Sequence, residues 1–142
     1  MSEMAMRPDI IPCLRYENAP HAIDFLCDAF GFARQAVFAD PDDPHIVHHA
    51  QLVRQDRMVM VSSALFTPHA AIAGSKTPAQ AGGVTMELYL VVADVDAHAA
   101  QARAAGATII AEPADKPYGG RGYAVRDPEG HIWSFGSYDP WA

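Results

Sequence analysis

Residues 118–136 read YGGRGYAVRDPEGHIWSFG, and this stretch has the pattern of a β-hairpin. Its centre, Asp127-Pro-Glu-Gly130, is typical of a type I turn, because Asp bonds the following backbone, Pro presets the second φ and Gly suits the fourth position. Aromatic and β-branched residues flank the turn on both sides, as expected for two paired strands. The sequence therefore predicts that a hairpin closes the fold.

Alternation along the second strand of this hairpin predicts two different faces. Trp133 and Phe135 point one way and form a heavy apolar face suited to packing under helices. Ile132, Ser134 and Gly136 point the other way and form a mixed face of small residues, which suits the lining of a cavity.

Composition limits the classes of function that remain. The chain has 142 residues, half of them hydrophobic, which is the size of a single domain with a real core. A formal net charge of −7 argues against nucleic acid as a partner. No apolar run approaches the roughly 20 residues of a membrane span. With only two cysteines and no signal-peptide pattern, we expect a cytoplasmic protein without a membrane partner.

The order of predicted elements occurs twice along the chain. A strand is followed by a helix that begins at the Asn18 cap and ends at Gly31, and the same sequence of elements places a second helix between Asp94 and Gly106. The predicted strands are Asp9–Tyr16, Gln35–Ala39, Ile46–Arg54, Met58–Ser63, Thr85–Val92, one that starts with Thr108–Ala111, and the two of the hairpin.

This repeat predicts an α+β fold of two βαβββ modules, which form curved mixed sheets around a cavity with the helices on the outer faces. We expect one domain over residues 1–142, with the first module at about 8–64 and the second at about 84–138. The connector at about 65–83 is rich in Ala, Gly, Ser, Thr and Pro, and it is a candidate for a mobile flap.

Four motifs in this order resemble the glyoxalase, bleomycin-resistance and extradiol dioxygenase group, the vicinal oxygen chelate superfamily. They are Ile11-Pro-Cys-Leu-Arg-Tyr16 with the helix that follows through Phe32, Val92–His98, Ala104–Ala107, and Asp127–Trp133. The resemblance implies paired βαβββ modules, a homodimer as the usual assembly, and a cavity for a small-molecule ligand.

The resemblance also implies where a divalent metal would be held, because metal-dependent members carry His and Glu at set positions of both modules. The matching positions here are Ile11, Met60, Glu87 and Ser134. Only Glu87 is a good ligand for a hard or borderline cation, whereas a catalytic metal usually takes about three protein ligands. We therefore expect neither a metal nor another cofactor.

Strand parity places six candidate ligand-binding residues inside the cavity, and a glycine-rich stretch places three more at its mouth. The inner set is Cys13, Arg15, Met60, Glu87, Tyr89 and Ser134, and the mouth set is Tyr118, Arg121 and Tyr123. An inward arginine needs an anion, because an unpaired buried charge is costly. Arg15 is therefore either a clamp for a ligand carboxylate or phosphate, or a structural partner of Glu87 or of a backbone carbonyl.

Candidate catalytic residues are Glu87, Tyr89 and His49. Glu87 would serve as a general base if burial raised its pKa, but pairing with Arg15 or another donor is the alternative. Tyr89 suits either a cavity wall or stacking on a planar ligand. Whichever of His48 and His49 faces inward is a proton shuttle, an unconventional metal ligand or a hydrogen-bonded structural histidine.

Two functional hypotheses follow, and a structural partner domain without a ligand is a third alternative. The favoured one is a metal-free, bleomycin-resistance-like protein that sequesters a small molecule, since the metal ligands are missing and the acidic surface suits a cationic ligand. The alternative is a glyoxalase-type lyase or isomerase, or a dioxygenase, that uses a divalent metal or acid–base chemistry by Glu87.

Overall fold

The computed structural model describes residues 7–65 and 67–142; residues 1–6 and 66, which fall in the predicted domain and connector, lie outside the described residues. The chain divides into two compact units. The first comprises the residues up to Cys27 together with Gly31–Thr77, and the second comprises Asp28–Phe30 and Pro78–Ala142. Each unit contains one four-stranded sheet.

The sheet of the first unit contains β1 (Cys13–Tyr16), β2 (Ala33–Ala39), β3 (Val47–Arg54) and β4 (Arg57–Ser63). Its strand order is β1-β4-β3-β2, with β1 parallel to β4 and the other neighbours antiparallel. The predicted first strand is longer than the observed one, which begins at Cys13. Pro12 cannot donate to a ladder, and it contributes only its carbonyl oxygen, which accepts from the Met60 N–H at 2.9 Å.

Helix α1 (Ala19–Phe30) has the ends that the sequence predicts. The Asn18 side chain accepts a hydrogen bond from the His21 N–H, one of the backbone N–H groups in the first turn that have no acceptor within the helix. Gly31 ends the helix in the left-handed conformation at φ 84°. Ile23 and Leu26 of the predicted apolar stripe are buried.

The predicted connector contains two short helices that the sequence did not predict. Helix α2 (Pro68–Ala73) begins after Thr67, whose side chain accepts from the Ala70 N–H at 3.0 Å, and helix α3 (Pro78–Ala81) follows. Neither helix is long enough to show a 3.6-residue apolar period, so capping residues are their only signal.

The second unit repeats the order of the first after helix α3. Its elements are β5 (Leu88–Val91), α4 (Val95–Ala104), β6 (Thr108–Asp115), β7 (Arg121–Arg126) and β8 (Ile132–Gly136). The strand order is β5-β8-β7-β6, with β5 parallel to β8. The α+β fold of two βαβββ modules is thus confirmed.

Strand β5 is shorter than the predicted Thr85–Val92, because the strand with which it pairs, β8, is itself short. Leu88 pairs with Trp133 near the start of β8, so residues before Leu88 have almost no strand beside them. Strand β6 starts at Thr108 as predicted, and it continues through Pro113 to Asp115, which its edge position tolerates.

The predicted turn is present, and the Asp127 carboxylate is its centre. The Gly130 N–H donates to the Asp127 carbonyl at 3.1 Å, while the Glu129 and His131 N–H groups donate to Oδ1 at 3.0 and 3.1 Å. The Trp133 indole N–H donates to Oδ2 at 3.1 Å. Asp127 is only 3% exposed, so its carboxylate has lost its hydrogen bonds to water, and these donors replace them.

Aromatic side chains form the core of the second unit. Trp133 and Phe135 are completely buried, as predicted, and the Phe30 ring centroid lies 5.2 Å from Trp133 and 4.8 Å from Phe135. His98 Nδ1 lies 2.6 Å from the Tyr123 hydroxyl, and burial raises the pKa of Tyr123 far above its usual value. Within the described residues, no helix is both long and apolar enough to cross a membrane.

Replacing Trp133 by Phe tests the bond between the turn and the core. We expect a loss of about 2–4 kcal/mol in the free energy of unfolding, because the change removes a hydrogen bond to a buried carboxylate and leaves a smaller ring. Urea denaturation followed by circular dichroism measures it. The matched control is Trp141→Phe, since Trp141 is 96% exposed and its change should have almost no effect. Equal effects of the two changes would contradict this role for Trp133.

Candidate functional site

A cavity of about 210 Å³ borders the second sheet at Ser134, and the neighbouring Phe135 also contributes to its lining. Strand register explains its floor, because Ser134 of β8 lies between Tyr89 of β5 and Ala124 of β7. Ser134 and Ala124 are small, so the middle of this face is open. The larger Tyr89 side chain lies at one side of the same row.

Three tyrosines form the wall of the cavity: Tyr89, Tyr118 and Tyr138. The Tyr89 hydroxyl donates to the Tyr138 carbonyl oxygen at 2.6 Å. The rings of Tyr118 and Tyr138 meet edge to face, with centroids 5.0 Å apart. Burial of the phenol, together with the nearby Tyr118, raises the pKa of Tyr89. Tyr89 is therefore neutral at physiological pH and serves here as a wall and a hydrogen-bond donor.

Two glycines allow the tyrosines to approach the backbone so closely. A Cβ atom at Gly136 would lie 2.6 Å from the Tyr89 hydroxyl oxygen, and one at Gly120 would lie 2.7 Å from the Tyr138 backbone nitrogen. Gly120 also has a φ of +68°, which other residues rarely adopt. The wall therefore depends on these two positions having no side chain.

Arg121 borders the cavity, but its guanidinium is bound to carboxylates. Nε and Nη2 donate to the two oxygens of Asp96 at 2.9 and 3.0 Å, and Nη1 lies 3.4 Å from Asp115. The hydrogen bonds from Arg121 hold the pKa of the Asp96 carboxyl below its usual value. The predicted mouth residue therefore acts as a brace between β7 and helix α4, whose first turn carries Asp96.

The structure brings together several of the predicted site residues in the second unit. Glu87, Tyr89, Tyr118, Arg121, Tyr123 and Ser134 all border the cavity. Tyr123 is only 2% exposed, and its hydroxyl contacts His98 within the core rather than the open part of the cavity.

The remaining predicted residues belong to the first unit. Cys13 and Met60 are neighbours in the register of β1 and β4. The Arg15 guanidinium donates to the Leu65 carbonyl oxygen at 2.8 Å, which matches the structural alternative with a backbone carbonyl. His49 Nε2 lies 3.0 Å from Gln51 Oε1, so this imidazole has a hydrogen-bonding partner on its own strand.

The residues at the positions implied for a metal do not fit one. Ile11 and Met60 of the first unit offer a hydrocarbon and a thioether, and Glu87 and Ser134 of the second offer one carboxylate and one hydroxyl. Across residues 7–65 and 67–142, no group of three or more His, Cys, Asp or Glu side chains is placed to hold a metal ion. This donor set lacks the three good ligands that a catalytic metal usually requires.

Tyr138 and Lys116 also line the cavity, and neither was predicted from the sequence. Both lie just after a strand, Lys116 after β6 and Tyr138 after β8, where the alternation of a strand gives no direction for a side chain. The sequence signal for Tyr138 was the Gly119-Gly120 pair, because adjacent glycines in a loop indicate that another part of the chain comes close to the backbone there. In the structure, that part of the chain is Tyr138.

Comparison with known proteins identifies the family. Residues 10–135 match the family described as the Glyoxalase/Bleomycin resistance protein/Dioxygenase superfamily. The chain belongs to this superfamily. The resemblance inferred from the sequence motifs is therefore confirmed, and this glyoxalase-superfamily chain has the cavity described above in its second module.

Relatives of this superfamily member include proteins without an assigned activity. An uncharacterized protein of Mycobacterium bovis is 35% identical over 92% of this chain and 84% of its own length. The crystal structure of TioX from Micromonospora sp. ML1 is similar with a TM-score of 0.68 and 32% identity, covering 91% of this chain and 94% of TioX. A superfamily enzyme from Burkholderia phytofirmans PsJN, 19% identical with a TM-score of 0.64 over 87% of this chain and 93% of its own, shares the fold.

Replacing Gly136 by Ala tests whether the tyrosine wall depends on a bare backbone. We expect a loss of about 1–3 kcal/mol in the free energy of unfolding, because the new methyl group would overlap the Tyr89 phenol. The same change should cost less in a Tyr89→Ala background, where the overlap is gone. Urea denaturation of all four proteins measures the coupling. An equal cost in both backgrounds would show that Tyr89 does not impose the constraint.

Proposed function

We propose that this superfamily member is a metal-free binding protein that sequesters a small molecule in the cavity of its second unit. The observation that carries the proposal is the arrangement of that cavity, with a floor of small residues at Ser134 and Ala124 beside a wall of three tyrosines. Such a surface accepts a flat ring and supplies few reactive groups, which is the usual character of a small-molecule site.

The chemistry of the donor set supports binding without a metal. One carboxylate, one neutral hydroxyl and one thioether would hold Mg, Mn, Ni or Zn poorly, because these ions prefer several oxygen or nitrogen ligands. We accordingly propose that ligand affinity comes from aromatic contact and hydrogen bonds.

Acid–base catalysis by Glu87 and Tyr89, the enzymatic alternative, has less support. The Tyr89 hydroxyl already donates to the Tyr138 carbonyl, and its raised pKa makes it a poor base at neutral pH. Glu87 is exposed at the edge of the cavity, where water competes for its carboxylate. This arrangement favours a binding role for both residues over glyoxalase-type or dioxygenase chemistry.

Assembly and location are part of the same proposal. We infer a homodimer, with the exposed apolar side chains of the edge strands, Val37 and Phe38 of β2 and Ile110 of β6, as candidate contacts that are 42–57% exposed. A cytoplasmic location is supported by the low cysteine content of the sequence.

Removing a wall tyrosine should weaken binding of planar amines. With tryptamine and proflavine as probes, we expect saturable binding of one molecule per chain and a loss of about 5- to 50-fold in affinity for Tyr118→Ala, since an aromatic contact disappears. Isothermal titration calorimetry measures it. The matched control is Trp141→Ala, which removes an exposed ring that does not line the cavity. Absence of saturable binding, or equal losses in both variants, would contradict the proposed function.

Removing metal ions should leave binding unchanged. After dialysis against EDTA, the affinity for proflavine should stay within about twofold of the untreated protein, because no step of the proposal uses a cation. Elemental analysis of protein purified without chelator provides the second readout. Stoichiometric Mn, Fe, Ni or Zn that is needed for binding would overturn the metal-free part of the proposal.

A further inference from the structure

Two opposite charges lie at opposite ends of the cavity in the second unit. Glu87 lies immediately before β5, next to the pairing of Leu88 with Trp133. Lys116 lies immediately after β6, and its Cε atom would be 3.4 Å from a Cβ atom at Gly122, which pairs with Gly136. At about 3.3 Å per residue, Trp133 and Gly136 are about 10 Å apart along β8, so the backbone positions beside Glu87 and beside Lys116 are further apart than the length of an aromatic ring.

Both charges are available to a ligand. Among residues 7–65 and 67–142, no ion pair involves Glu87 or Lys116. Other charged side chains of the same unit are engaged, as Arg121 is with Asp96 and Arg103 with Glu112. Glu87 and Lys116 thus line the cavity with a carboxylate and an ammonium group that solvent, rather than protein, satisfies.

The surface between the two charges suits a flat apolar body. The small side chains of Ser134 and Ala124 leave space above the sheet, and the Tyr118 and Tyr138 rings lie beside this space. The Ser134 hydroxyl is the polar group of the floor and lies in the row between the two charged ends. A ring system laid on this floor would contact aromatic carbon on its side and hydrogen-bond donors and acceptors at its ends.

We propose that the ligand is an elongated aromatic zwitterion, whose ammonium end binds Glu87 and whose carboxylate or similar anionic end binds Lys116. This inference rests on the proposed function and narrows its ligand class. A ligand with only a positive charge forms an ion pair with Glu87, but its other end lies beside the Lys116 ammonium group and offers it no anion. A ligand charged at both ends forms a charge-assisted hydrogen bond at each end of the cavity.

Three probes that differ only in their ends separate these cases. They are 4′-(aminomethyl)biphenyl-4-carboxylic acid, its methyl ester, which keeps only the cation, and 4′-methylbiphenyl-4-carboxylic acid, which keeps only the anion. Titration calorimetry of the full chain at low ionic strength should show that the zwitterion binds at least about tenfold more tightly than either relative.

Two charge-neutralising variants assign each end. Glu87→Gln should lower the affinity for the zwitterion and for the ester by about 5- to 30-fold and leave the affinity for the anion unchanged. Lys116→Gln should lower the affinity for the zwitterion and for the anion and leave the affinity for the ester unchanged. The controls are Asp42→Asn and Lys76→Gln, which change the net charge equally at exposed positions of the first unit. They should leave all three affinities unaltered, and circular dichroism confirms that each variant is folded.

The outcomes distinguish this inference from the function on which it rests. One outcome is that the three probes bind with equal affinity, and that this affinity is lost in Tyr118→Ala but not in Glu87→Gln or Lys116→Gln. This outcome would overturn the inference of a zwitterionic ligand and retain the proposed binding function. Weakening by the control variants to the same degree would also overturn it, because net charge alone would then be responsible. Absence of saturable binding for these probes overturns the inference, and the same result with tryptamine and proflavine overturns the proposed function as well.

Discussion

The buried carboxylate of Asp127 is the constraint on which the geometry of the second unit depends. It accepts two backbone N–H groups of its own turn and the indole N–H of Trp133, so it fixes the turn to the core. The turn sets the register of β7 against β8, and this register brings Ala124 beside Ser134. The floor of the cavity therefore depends on hydrogen bonds made within the turn and with the core residue Trp133.

The two faces of strand β8 have different physical roles. Trp133 and Phe135 are buried and supply hydrophobic stabilisation, whereas Ser134 contributes little to the core and leaves space above it. The alternation of this strand thus gives Trp133 and Ser134 different surroundings, with Trp133 in the core and Ser134 beside the cavity. Ser134 and Ala124 are therefore positions where a substitution would change the cavity more than the core, since both border the cavity.

The sequence was sufficient for the features that local chemistry determines. The Asn18 cap, the Gly31 stop and the Asp127 turn each depend on a few adjacent residues, and all three were predicted correctly. Tyr138 and Lys116 were missed because loop geometry decides where they point. The partner of Arg15 was left open between a ligand, Glu87 and a carbonyl group, since a sequence shows that a charge needs a partner but not which group lies near it.

The pairing of the first and last strands in each unit has a consequence for how the chain folds. Strands β1 and β4 are parallel neighbours, as are β5 and β8, so neither sheet is complete until its final strand has been made. Contacts between such distant segments carry a loop-closure cost that is repaid late and slows folding. On the ribosome, the first module has all its strands before synthesis of the second begins, and within each module the first strand must wait for its partner, β1 for β4 and β5 for β8.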